Sequence, residues 1–100
     1  AMDLADQPVW TAFRASEQEY DRAIADLTRA LQDHQDTLSP ETIAVIEANL
    51  KTIDEAIRVA KAALEADPGN QRSVHMILAM YRKKVDLLQR AVALFQEHSS

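Results

Sequence analysis

Residues 38–64 read LSPETIAVIEANLKTIDEAIRVAKAAL. Within this stretch Ile43, Ile46, Leu50, Ile53, Ile57, Ala60 and Leu64 alternate at spacings of three and four without a break. That pattern follows the helical period and lays one apolar stripe along a single long helix. Its start is legible too. Ser39 can accept an orphan backbone N–H as N-cap, and Pro40 stands at the first helical position, where its missing N–H is not needed. Leu38 and Ile43 occupy the two places of a hydrophobic staple. Downstream, Asp67-Pro68-Gly69-Asn70 stops this helix, and Asn70 can cap the next.

The rule extends in both directions. Upstream, Tyr20, Ile24, Leu27, Leu31, His34 and Leu38 alternate by four and three, and Phe13 lies on the same row. Downstream, Val74, Leu78, Tyr81, Val85, Leu88, Val92 and Phe95 do the same, with Ile77 beside them. Two starts compete for the first helix: a capping box at Ser16 and Glu19, or Asp6 with Pro8. Val9 and Phe13 keep the phase of the later stripe and favour the earlier start. Three helices are expected at about 8–38, 40–66 and 71–97, each roughly 40–46 Å long. Short connections make sequence neighbours antiparallel, and 3–4 rows suit nearly parallel, left-handed packing. The expected fold is all-α, an up-down-up three-helix bundle of heptad-patterned, coiled-coil-like helices forming one domain over 8–98. Residues 1–7 are expected to be disordered or tag-derived, with Ala1-Met2 excluded as a cloning scar.

Composition agrees. The 100 residues are 47% hydrophobic and 27% charged, with one glycine and three prolines, too few turn formers for an all-β sandwich or barrel. Cysteine is absent, which removes disulfides and thiolate metal sites. The longest apolar run, Val74–Met80 with His75 inside it, is far too short to span a bilayer. The net charge of −5 is uneven: residues 1–38 hold eight acids and three bases, 39–68 six and three, and 69–100 two and five. An acidic chain with one basic helix is a poor nucleic-acid binder. The basic cluster Arg82, Lys83 and Lys84 is expected to lie against the acidic segments.

Chemistry-bearing patterns are sparse. His34, His75 and His98 form no pair at metal-ligand spacing, and Asp33, Asp36, Glu47 or Glu97 could join His34 and His98 only by accident of packing. His34 reads instead as a helix-end residue reaching solvent or a capping partner. No serine stands in G-x-S-x-G, and one glycine cannot build a phosphate-cradling loop. Glu17 with Asp21, and Asp54 with Glu55, are expected to face water. No enzyme activity, metal or cofactor is expected.

The surface says more. On the third helix Met76, Met80, Leu87 and Leu94 form a second apolar row well away from the first. The second helix has a back row of small residues: Val45, Ala48, Thr52, Val59 and Ala63. Small side chains let another helix approach, and methionine suits an adaptable contact. Met76, Met80, Leu87, Leu94, Val45 and Val59 are the candidate interaction surface, for a protein partner or a homodimer.

Two resemblances bear on function. The strings EYDRAIADL (19–27), LSPETIAVIEANLKTIDEAI (38–57), ALEADPGN (63–70) and M-Y-R-K-K-x-x-L-L (80–88) resemble the C-terminal extracytoplasmic region of bacterial membrane-anchored anti-sigma factors of the zinc-finger type. The resemblance spans about residues 16–92 and rests mainly on packing and capping positions. The family's His and two Cys zinc ligands belong to a cytoplasmic part not present here, so no ligand carries over. The resemblance implies a periplasmic sensing or assembly domain, tethered by an upstream transmembrane helix whose membrane side would lie near Pro8 and Trp10. The alternative is a soluble cytoplasmic adaptor: AIRVAKAALEADPGN (56–70) resembles the second helix and turn of a tetratricopeptide repeat, although no second copy is present.

Overall fold

The computed structural model describes residues 8–99, with side chains described for all of these except Val9 and residues 97–99. The expectation for residues 1–7 lies outside the described residues, and that for Glu97 and His98 as metal ligands falls on side chains that are not described. Helix α1 runs Pro8–His34, α2 Pro40–Ala66 and α3 Gln71–Ser99, and the described residues contain no strand. The fold is an up-down-up three-helix bundle. Helix α3 lies between the other two and packs closely on both, while α1 and α2 approach each other less closely. The helices form a long, thin body of 57 × 20 × 15 Å.

The helix ends follow their local chemistry. The Ser39 side chain accepts the Thr42 N–H at 3.1 Å, and Pro40 is at the N-terminus of α2. Leu38 is buried, and Ile43 packs in the same cluster, as a staple requires. Asn70 accepts the Ser73 N–H through Oδ1 at 3.2 Å and opens α3. Helix α1 already includes Pro8, so Ser16 and Glu19 lie inside it and not at a capping box. Its far end departs from expectation. The α-helix stops at His34, not 38, and tightens into a 3-10 turn, Gln35–Thr37. The Thr37 hydroxyl donates to the His34 carbonyl at 2.7 Å, and the Leu38 N–H donates to the Gln35 carbonyl at 3.1 Å. Leu38 and Ser39 must be extended to lead into Pro40, which disfavours helical geometry before it.

Two apolar clusters make the core. One joins Phe13 to Ile57, Ala60, Leu64, Ile77 and Tyr81 at the end where α1 begins. The other joins Leu38 to Ile46, Ala91 and Phe95 at the opposite end. Ile77 and Leu88, on the middle helix, are fully buried. Because α3 is covered from two sides, its buried stripe is wider than one heptad row. Ser73, Ile77, Leu88, Ala91 and Phe95 are all buried alongside Tyr81.

Candidate functional site

Two features stand apart from ordinary core packing. The first is a polar knot at the N-terminal end of α1. Glu17 is only 5% exposed, against the expectation that it faces water. Its row position explains the correction: Phe13, Glu17, Tyr20 and Ile24 are spaced four, three and four, so Glu17 is in phase with the apolar seam. The carboxylate accepts the Tyr81 hydroxyl at 2.9 Å and pairs with Lys61 Nζ at 2.9 Å and Arg14 at 2.8 Å. Lys61 also lies 5.6 Å from the Tyr81 ring centre, and that ring stacks on Tyr20.

Burial by itself would raise the Glu17 pKa, but the hydrogen bonds from Lys61 and Tyr81 and the charges of Lys61 and Arg14 outweigh it, so the group is held below its ordinary value of 4.5. Lys61 shows the same contest: burial pulls it down, and contacts with Tyr81 and Glu17 lift it above 10.5. Burial, with Glu17 nearby, pushes Tyr81 above 10.0. A cleft of about 350 Å³ beside the knot is walled by Trp10, Phe13, Arg14, Lys61, Leu64 and Glu65. Every buried polar side-chain atom among the described residues has a partner, so the knot is a satisfied structural clasp. Asp21, Asp54 and Glu55 are exposed, and of the basic cluster Lys84 reaches an acidic segment, pairing with Asp54 at 2.7 Å, while Arg82 and Lys83 are exposed.

The second feature is an apolar groove of about 510 Å³ between α2 and α3. It is lined by Thr52, Glu55, Ala56, Val59, Ala60 and Ala63 from α2 and by Arg72, Ser73 and Met76 from α3. The groove is open because α2 offers alanine, threonine and valine there, where a larger side chain would fill it. The exposed large hydrophobics among the described residues are Val45 (61%), Val59 (53%), Met76 (48%) and Leu94 (37%). All four belong to the two rows singled out from sequence. Met80 and Leu87 are half-buried, and Met80 packs against the core. The wide buried stripe of α3 draws these two inward. Ala56 also lines the groove, a position the small-residue row omitted although it continues the same helical period.

Among the described residues no three His, Cys, Asp or Glu gather to hold a metal ion. His34 is exposed at the end of α1, its ring 4.7 Å from that of Phe95. No described helix is long and apolar enough to cross a membrane. No family model matches the chain, and neither a curated protein nor a solved structure matches it.

Proposed function

We propose that this chain is a non-enzymatic interaction domain whose docking face is the outer side of α2 and α3. The observation that carries the reading is the apolar groove between α2 and α3, lined by exposed Val59 and Met76, with exposed Val45 and Leu94 further along the same two helices. Exposed apolar surface concentrated on one face of a small helical protein suits contact with another helix. The polar knot ties α1, α2 and α3 together at one end, holding the docking helices in place. A designed amphipathic peptide of Leu/Ala heptads is a suitable probe. Added to the labelled protein, it should shift NMR signals at Val59, Ala63 and Met76 and spare the α1 surface. Saturating peptide that leaves those signals in place overturns the reading.

The setting we propose is the extracytoplasmic part of a membrane-anchored anti-sigma regulator, with signalling inward through a tether. This finer reading rests on the sequence strings quoted above, and no family match adds to it. The continuous 27-residue α2, about twice the length of a repeat helix, favours it over the tetratricopeptide-type adaptor. The gene sequence upstream should encode an apolar span of about 20 residues preceded by a Cys/His cluster. An upstream sequence without them removes the anti-sigma setting and leaves the docking face untouched.

A further inference from the structure

We propose that the occupant of the α2/α3 face is a second copy of this chain, related by a two-fold axis parallel to the helices, so that α2 of each copy lies on α3 of the other. The proposal rests on the docking-face reading above and deepens it.

Size permits it. A face two helix diameters wide and about 40 Å long has a footprint of roughly 800 Å², the usual contribution of one partner to a stable interface. Charge then selects the arrangement. Helix α2 carries five acids and three bases, and α3 carries five bases and two acids. On α3, Lys83 and Arg90 follow Met76 at seven-residue steps, Arg90 pairing with Asp86 of its own helix at 3.1 Å, and Arg72 lines the groove. On α2, Glu41 and Glu55 fall on one heptad position; Glu55 lines the groove and pairs with Arg58 of its own helix, an exposed pair that a cation of a second copy would share. A self-complementary pair can lay this face on itself in two ways. An axis across the helices sets α3 on α3, basic edge against basic edge, which is repulsive. An axis along the helices sets α2 on α3, acidic edge against basic edge.

The second arrangement also fixes which residues meet. The Asp54–Lys84 pair places those two residues at one level along the protomer. A rotation about an axis parallel to the helices preserves that level. Glu55 of one copy therefore comes opposite Lys83 of the second, and the exposed Val45 and Val59 come opposite Leu94 and Met76. The four helices then alternate in direction, the packing that 3–4 rows favour.

The absence of cysteine makes the test clean. Sedimentation equilibrium at micromolar concentrations should show a dimer. Val59→Glu and Met76→Glu, both at exposed positions, should give monomers of unchanged helicity. When Glu55→Cys protein is mixed with Lys83→Cys protein under mild oxidation, the mixed disulfide should dominate over either homodisulfide. A wild-type protein that stays monomeric yet binds the Leu/Ala peptide at Val59 and Met76 overturns the second-copy proposal and leaves the docking face standing. A dimer sensitive to both Glu variants but linked 83 to 83 overturns the axis along the helices. A dimer indifferent to Val59→Glu and Met76→Glu overturns the face and this proposal together.

Discussion

Glu17 meets Tyr81, Lys61 and Arg14 at once, and its behaviour is testable with single substitutions. Its carboxylate is buried, while Arg14 and Lys61 reach it from side chains that remain partly in water. Solvent screening on the cation side moderates the pairing. Glu17→Gln should cost about 1–3 kcal/mol, because two cations and a hydroxyl lose a charged acceptor. Tyr81→Phe should cost about 1 kcal/mol, since both cations still hold the carboxylate. Urea midpoints measure both. The pH dependence has a definite sign. A Glu held below 4.5 adds stability that is present above that value and is lost as pH falls through the lowered one. Lys61, raised above 10.5, adds stability that is present below that value and is lost as pH rises through the raised one. The wild type should weaken at both extremes. Glu17→Gln should flatten the acid limb, and an unchanged limb would remove Glu17 as its source.

At the scale of the helices, two neighbouring leucines separate core from surface. Leu88 is fully buried, and Leu88→Ala should cost about 2–5 kcal/mol through lost burial and a cavity. Leu87 is half-buried on the docking face, so Leu87→Ala should cost much less in folding and should weaken association. Equal losses of stability would show that the two residues share one core. The turn between α2 and α3 gives a less obvious expectation. Gly69 does not use a left-handed conformation, for no residue among those described has positive φ. A Cβ there would meet only Asp67 Oδ1 at 3.7 Å, an ordinary contact. Gly69→Ala should therefore raise stability by about 0.4–1 kcal/mol, by narrowing the unfolded ensemble, as a thermal midpoint would record. Proline and the caps at Asp67 and Asn70 turn the chain here, and the glycine is not required for it.

At the scale of the whole molecule, length dominates. The radius of gyration is 16.2 Å, against about 13 Å for a compact domain of this size. A thin body of three rods has much surface for its core, and covering one face with a second copy increases burial without lengthening the chain. Mass action then links stability to concentration. The thermal midpoint should climb as protein concentration rises, and Val59→Glu should abolish that dependence. A wild-type midpoint that ignores concentration would count against the dimer.

Much of this was legible along the chain. Local chemistry wrote the helix stops: Ser39 with Pro40, and Asp67 through Asn70, act through neighbours a few residues away. The 3–4 rows set the helix faces, since a helix places such residues together whatever surrounds it. Even Glu17 could have been placed, because its spacing from Phe13 and Tyr20 puts it on the seam; only its charge argued for the surface. Other features depend on which rods touch. That α3 lies in the middle, that Met80 and Leu87 are drawn partly inward while Val59 and Met76 stay out, and that Lys61 and Tyr81 converge on Glu17 from two other helices are properties of packing between distant segments. Periodicity assigns each helix its faces, but the contact energies between helices choose the neighbour of each face, and those energies exist only once the chain is assembled.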